Sequence, residues 1–151
     1  MSKYELVLTD VIYENGHKLT RVRRIADGVY GGYIESESNL DQPGRAFLDE
    51  KSKAYANSRI LDDAQLYGIA RDSATIQGEA RVFGEAYGMA VVRDRSEVYG
   101  QIYENGLVAG QAIVHGQVFG HGQVFDNARV FGRVYGNALI GGDQVVFGDS
   151  H

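Results

Sequence analysis

The sequence predicts an all-β protein, a single-stranded parallel β-helix (β-solenoid) made of three-sided coils. Two observations predict this fold. Residue types recur every sixteen positions, and within each repeat small or aliphatic residues alternate with polar or aromatic ones. Alternation with a period of two is typical of extended backbone that buries one face. A fixed longer period is the signature of a solenoid, in which each unit buries its apolar side against the next.

Three columns of the repeat keep this spacing over about six copies. The aliphatic columns are Ile60, Ile76, Val92, Val108, Val124 and Ile140, and Leu66, Val82, Val98, Val114, Val130 and Val146; the glycine column is Gly68, Gly84, Gly100, Gly116, Gly132 and Gly148. Small-x-aliphatic triplets divide each copy at steps of six, six and four residues, as in Ser58-Arg-Ile60, Ala64-Gln-Leu66 and Ala70-Arg-Asp72. Three short strands joined by corners therefore form each of about six coils, over residues 45–151.

Residues 1–44 differ from the repeats and are expected to form an N-terminal hairpin cap and a leader. Asn15-Gly16 supplies the two positive-φ residues of a hairpin turn between two strand-like runs. Arg21, Arg23 and Arg24 lie close together on the second run. Such a short charge run is typical of a solvated strand face, and a contact with phosphate or nucleic acid is the alternative.

Polar residues at some inward positions are expected to be corners rather than catalytic or metal-binding carboxylates. Asp62, Asp94 and Asp126 share a column with Gly78, Gly110 and Gly142, and Asp72 and Glu104 share one with Gly88, Gly120 and Gly136. Asp and Gly both tolerate the left-handed αL conformation, so their exchange within one column favours a corner. We therefore predict no metal site and no cofactor.

Composition limits the function further. The chain has 151 residues, no cysteine and a net charge of -5. Without cysteine there is no disulfide framework and no thiolate metal site. The acidic balance argues against a nucleic-acid binder, which needs a basic face. No signal peptide or membrane-spanning apolar run is visible, so we expect a cytoplasmic protein without membrane contact.

The leader Gly31-Gly-Tyr-Ile-Glu-Ser-Glu-Ser-Asn-Leu40 and the Ala-x-Val-x-Gly coils together cover nearly the whole chain. They resemble phage- and prophage-encoded β-helical proteins of the hexapeptide-repeat, putative transferase-like type. The resemblance implies a viral or prophage origin and a β-helix in the cytoplasm of the host cell, and it supplies no matching catalytic residue. The steps of six, six and four depart from the three steps of six in strict hexapeptide helices.

The outward columns carry rings in successive coils. One column holds Tyr55, Arg71, Tyr87, Tyr103, Phe119 and Tyr135, and the other holds Tyr67, Phe83, Tyr99, His115, Phe131 and Phe147. Stacked coils would place these rings about 4.8 Å apart as a continuous strip. Ring stacking that only stiffens the rod is one interpretation. The other is a contact surface, made chiefly by Tyr87, Tyr103, Phe119, Tyr135, Phe83, Tyr99 and Phe131, because contiguous aromatic patches are typical of interaction sites.

The sequence thus favours a non-catalytic binding protein that contacts, and inhibits, a host defence or regulatory protein. A hexapeptide-repeat acyltransferase is the enzymatic alternative, with His115 or His121 as the base, although the unbroken repeat leaves no loop to wall a substrate pocket. A structural component of the virion is a further alternative. We also expect a homodimer through the aromatic strip, the C-terminal coils or both, because strand edges at a solenoid end invite pairing.

Overall fold

The computed structural model describes residues 2–151. Its regular structure is β apart from one 3₁₀ turn at Glu37–Asn39. The strands are β1 Tyr4–Glu14, β2 His17–Arg24, β3 Tyr30–Ile34, β4 Phe47–Leu48, β5 Lys53–Ala54, β6 Arg59–Ile60, β7 Gln65–Leu66, β8 Ile69–Ala70, β9 Thr75–Ile76, β10 Arg81–Val82, β11 Glu85–Ala86, β12 Val91–Val92, β13 Glu97–Val98, β14 Gln101–Ile102, β15 Leu107–Val108, β16 Ile113–Val114, β17 Gln117–Val118, β18 Gln123–Val124, β19 Arg129–Val130, β20 Arg133–Val134, β21 Leu139–Ile140, β22 Val145–Val146 and β23 Asp149–Ser150.

These strands form three sheets, one on each side of a parallel β-solenoid. The sheets contain ten, seven and six strands, and every third strand along the coils belongs to the same sheet. From β5 to β20 each strand pairs in parallel with the strand sixteen residues further on, as Arg81 does with Glu97 and Glu97 with Ile113. The predicted fold and the uninterrupted repeat are confirmed.

The inward columns form a narrow core of small and aliphatic side chains. Val82, Val98, Val114 and Val130 are fully buried, and so are Ala64, Ala74, Ala80, Ala90, Ala112 and Ala128, which precede strands. The predicted corners are also confirmed: Asp62, Asp72, Asp94, Glu104 and Asp126 all have positive φ, between 52° and 61°. All four of these aspartates hold the next coil, because each carboxylate accepts a hydrogen bond from the backbone N–H sixteen residues later. The bonds run to Asp62 from Gly78, to Asp72 from Gly88, to Asp94 from Gly110 and to Asp126 from Gly142, at 3.0, 3.0, 2.8 and 2.9 Å.

The short side of the coil lies elsewhere than the triplets predicted. The third strand is Ile69–Ala70, so the step of four residues falls between the second and third strands, while Asp72 belongs to the following corner. The triplet Ala70-Arg-Asp72 was therefore the wrong segment for the third strand. The glycine column occupies this short step. A methyl group on Gly100 would overlap the carbonyl oxygen of Gly116 in the next coil, so glycine is required there for close approach of two backbones.

Parallel pairing begins earlier than the repeat does. Tyr33 and Ile34 of β3 pair with Lys53 and Ala54, an offset of twenty residues. Phe47 pairs with Gln65 at an offset of eighteen. The seven strands of the seven-stranded sheet therefore count seven rungs, one more than the six or so that the repeat predicted. The additional rung escapes the pattern because its corners contain the 3₁₀ turn and Pro43-Gly44.

The N-terminal hairpin extends the ten-stranded sheet and covers the first coil. β1 pairs with β2 and β2 with β3, both antiparallel, so the sheet continues without a break into the coils. Tyr4 and Val22 point into the core, and the Tyr4 hydroxyl donates a hydrogen bond to the backbone oxygen of Leu40 at 2.6 Å. Within residues 2–151, no helix has the length and apolar character needed to cross a membrane.

Candidate protein-interaction face

The aromatic column that begins at Tyr67 forms a continuous stack along one edge of the ten-stranded sheet. Successive ring centroids of Tyr67, Phe83, Tyr99, His115, Phe131 and Phe147 lie 4.6 to 5.3 Å apart, with interplanar angles of at most 10°. We call these six residues the exposed ladder, because Tyr67, Tyr99 and Phe131 keep 41 to 46% of their surface in contact with solvent. The expected stacking is confirmed for this column.

The other aromatic column, which includes Tyr87, lies four residues further along each coil. It follows the opposite edge of the ten-stranded sheet. Tyr87, Tyr103, Phe119, Tyr135 and His151 stack at 4.9 to 5.0 Å with interplanar angles of at most 5°. We call these five residues the half-buried ladder, since its four Tyr and Phe side chains are of intermediate exposure. Arg71 continues it toward the N-terminus, with its guanidinium carbon 3.9 Å from the centre of the Tyr87 ring.

Between the two ladders runs a row of polar side chains, which we call the middle row: Glu85, Gln101, Gln117, Arg133 and Asp149. The members are bound to one another along the rod. The Gln117 amide donates to Gln101 at 2.9 Å, and Arg133 donates two bonds to Asp149 at 3.0 and 2.7 Å. The aromatic face, as defined here, consists of the exposed ladder, the middle row and the half-buried ladder with Arg71.

The electrostatics of the aromatic face favour paired charges and neutral rings. Burial raises the pKa of the Tyr87 hydroxyl above its ordinary value, and a hydrogen bond to Glu97 raises that of Tyr99. The hydrogen bonds from Arg133 lower the pKa of Asp149. At neutral pH the hydroxyls of Tyr87 and Tyr99 are therefore uncharged, while the Asp149 carboxylate stays ionised beside Arg133.

Tyr55 does not extend the half-buried ladder as the column predicted. Only 5% of its surface is exposed, because the tip of the hairpin folds over it. The His17 ring lies 5.1 Å from the Tyr55 ring, and the Asn15 amide donates to the Tyr55 hydroxyl at 3.2 Å. Lys53 forms an ion pair with Glu14 beside it. The hairpin tip therefore closes the N-terminal end of the aromatic face.

The two candidate catalytic histidines are separated. His115 lies inside the exposed ladder, with ring centroids 4.8 Å from Tyr99 and 5.0 Å from Phe131. His121 is exposed on a corner. Among residues 2–151, neither imidazole has a side-chain hydrogen-bond partner, and no group of three His, Asp or Glu side chains is arranged to hold a metal ion. A general base is usually oriented by such a partner, so the geometry adds no support to either histidine.

The arginines of the hairpin are engaged within the protein. Arg21 contacts Asp10 at 2.5 Å, Arg23 contacts Glu5 at 2.8 Å, and Arg24 contacts Asp27 at 2.9 Å. Each cation thus has a carboxylate beside it, which agrees with the interpretation as a strand face and not with a phosphate site.

A hollow of about 360 Å³ lies on the six-stranded side, where Ala109 occupies a column between Arg93 and Phe125. Leu107 and Gln123 complete its lining together with Asp94 and Asp126. Both aspartates already bind the backbone of the next coil, and the hollow is open to solvent. The aromatic face is the larger and more regular surface.

Sequence reasoning found both ring columns but missed the middle row. The signal was present, since positions 85, 101, 117, 133 and 149 keep the sixteen-residue spacing and are all polar. These residues lie between the two ladders because the third strand of each coil, as in Ile69–Ala70, begins directly after the glycine column. Comparison with models of known families found no match to this chain, and comparison with curated proteins found none either, so the geometry of the aromatic face carries the functional argument.

Proposed function

We propose that this chain is a non-catalytic binding protein that contacts a protein of its host cell through the aromatic face. One observation carries the proposal: two ring ladders run side by side along the rod over at least four coils. Exposed tyrosines of this kind supply large contact areas at low conformational cost and dominate protein interfaces.

The composition of the face supports a protein partner over a nucleic acid. Arg71 and Arg133 are balanced by Glu85 and Asp149, so the face has no excess positive charge for a phosphate backbone. Rings that stack on each other also turn their edges outward and leave few free faces for bases, since each interior ring has a neighbour on both sides. An apolar and hydroxyl-bearing protein surface suits these edges better.

The biological role proposed follows from the resemblance described above. A phage or prophage protein without catalytic machinery acts by occupying a surface that a host complex needs. We propose inhibition of a defence or regulatory complex in the host cytoplasm. The acyltransferase alternative keeps His115 or His121 as its base. Titration with acyl-CoA in a calorimeter separates the two functions, because only the enzyme has to bind this acyl donor.

The test replaces three rings of the half-buried ladder, Tyr87→Ser, Tyr103→Ser and Tyr135→Ser, in one variant. We expect the wild type to retain a specific protein from lysate of the natural host, and this variant to lose it. Each lost ring contact removes about 0.5–1.5 kcal/mol of stability. Circular dichroism and thermal unfolding are therefore needed to verify that the variant is still folded.

A matched control replaces three exposed apolar residues outside the aromatic face, Leu8→Ser, Tyr13→Ser and Leu139→Ser. These side chains are 77, 74 and 62% exposed. The control should retain the same protein as the wild type. Equal retention by the ladder variant and the control would refute the aromatic face as the binding site.

A further inference from the structure

The charged residues of the aromatic face follow an order along the rod that the proposed function does not explain. From the N-terminal side they are Arg71, Glu85, the neutral pair Gln101 and Gln117, then Arg133 and Asp149. The signs are plus, minus, neutral, neutral, plus, minus. Reading the six rungs from the other end inverts every sign, so each rung carries the charge opposite to that of the rung it meets in a reversed copy.

We propose that two copies of this chain pack together through their aromatic faces, with the two rods antiparallel. The two-fold axis passes between the coils of Gln101 and Gln117. Glu85 of one copy then faces Arg133 of the second copy, and Arg71 faces His151, which lies on the same rung as Asp149. The inference rests on the proposed function only in treating the aromatic face as a contact surface.

Charge selects this orientation over the parallel one. A two-fold axis along the rod would set each coil against the same coil of the second copy, and Glu85 would face Glu85. Like charges held together in a partly desolvated interface cost several kcal/mol. The antiparallel arrangement instead forms the Glu85–Arg133 contact twice, because an isologous interface repeats every contact about its axis.

The ring ladders are compatible with the same axis. Reversal sets each ladder against its own counterpart, so that Tyr99 faces His115 and Tyr103 faces Phe119 of the second copy. Both copies have the same rise per coil, about 4.8 Å. Rings spaced at 4.6 to 5.3 Å therefore keep one register along the whole contact, with no accumulating mismatch. The Gln101 and Gln117 amides meet at the centre, where each can donate and accept.

The size of the face predicts a weak dimer. Six rungs at about 4.8 Å and a width of four residues at about 3.3 Å give a contact of roughly 30 by 13 Å. The product, roughly 400 Å², is about half of the 800 Å² that each partner buries in a standard interface, and contacts of this size are weak and transient. We expect a dissociation constant in the micromolar range, about 1 to 100 μM. Dimer formation and capture of a host protein should exclude each other, because both occupy the aromatic face.

Sedimentation equilibrium of the purified full chain tests the charge pairing. The wild type should show a monomer–dimer equilibrium, while Glu85→Arg and Arg133→Glu each weaken dimerisation about tenfold or more, as expected for a charge pair turned repulsive. Combining both changes in one chain should restore the dimer, because the pair is then re-formed with its signs exchanged. The control pair Arg129→Glu and Asp143→Arg lies outside the aromatic face and should leave the equilibrium unchanged.

Thiol cross-linking tests the orientation without relying on charge repulsion. The chain lacks cysteine, so Glu85→Cys in one preparation and Arg133→Cys in another introduce single thiols. A bismaleimide that spans about 10 Å, the usual separation of packed sheets, should join a mixture of the two variants. It should join either variant alone far less, since equal positions lie three rungs, about 14 Å, apart along the rods.

A wild type that stays monomeric up to about 1 mM, well above the expected dissociation constant, overturns the inference. So does a dimer that is insensitive to both single charge changes, or one that cross-links best within one variant. These results leave the proposed function standing if the monomer still captures its host protein. Conversely, a charge-sensitive antiparallel dimer that captures nothing supports the inference and removes the proposed function.

Discussion

The N-terminal hairpin and the coils beneath it are both β-structure, yet different contacts stabilise them. The hairpin depends on individual side-chain bonds between distant residues, such as Tyr4 to Leu40 at 2.6 Å and Tyr33 to Asp10 at 2.7 Å. The coils depend on backbone bonds that recur at every rung, for example Tyr99 to Val114 and His115 to Val130, both at 2.7 Å.

This difference has consequences for substitution. In the coils, each residue has near-equivalent neighbours sixteen positions before and after it. A substitution therefore affects the contacts with these two neighbours in the same column. In the hairpin, each bond is made once and has no equivalent elsewhere. A substitution that disturbs backbone stacking should therefore be the most damaging in the coils, while the loss of one side-chain bond should be felt most in the hairpin.

The largest effect is expected for Gly100→Ala. Its methyl group would overlap the carbonyl oxygen of Gly116, so two coils must separate locally. We expect a loss of about 3 kcal/mol or more in the free energy of unfolding. Gly148→Ala is the matched control from the same column, because nothing lies within 4 Å of its added methyl group. Denaturant unfolding that gave equal stability to both variants would contradict the close-approach explanation.

An intermediate effect is expected for Tyr4→Phe in the hairpin. The change leaves the buried oxygen of Leu40 without the hydroxyl, at a cost of about 1–2 kcal/mol. Tyr13→Phe, at a ring that is 74% exposed, should cost nothing measurable. Chemical unfolding of both variants at pH 7 measures the difference, and equal stabilities would show that the Tyr4 bond does not hold the hairpin.

Tyr4 also makes the free energy of unfolding depend on pH. Burial raises the pKa of Tyr4 far above its ordinary value of 10.0. The unfolded chain therefore releases this proton first as the pH rises, and stability is complete below about pH 10 and falls above it. Tyr4→Phe should make the alkaline loss shallower. An identical decline in the wild type and the variant between pH 9.5 and 11.5, about one unit either side of the ordinary tyrosine pKa, would count against this origin.

An effect no larger than that of Tyr4→Phe is expected at a corner of the coils, Asp94, where the glycine variant gives the smallest change of the series. Asp94→Ala removes the bond from Gly110 and places alanine at a φ of 61°. Together these should cost about 1–2 kcal/mol. Asp94→Gly loses the bond but tolerates the backbone, so it should cost about half as much. Thermal unfolding ranks the variants, and a glycine variant less stable than the alanine variant would show that the left-handed corner is not what selects the residue.

Much of the fold could be predicted from the sequence, because residues sixteen positions apart in a solenoid lie next to each other in adjacent coils. The columns of Val98 and Tyr99 were predicted correctly, the first as core and the second as a stacked outward row. The corner aspartates were predicted as well, since Asp and Gly both tolerate the left-handed conformation that these positions adopt. The short side of the coil was misplaced because Ala70 suits either the start or the end of a strand in a narrow core.

The sequence by itself determined the coil length, the inward and outward faces, the corners and the two rows of rings. Each of these depends on residues that repeat, and repetition can be read without coordinates. Only the tertiary structure decided that the hairpin tip covers Tyr55, that the first coil is longer, and that a row of polar side chains bound to one another lies between the ladders. Those features depend on contacts made once, or on which strands share a side, and no local spacing specifies either.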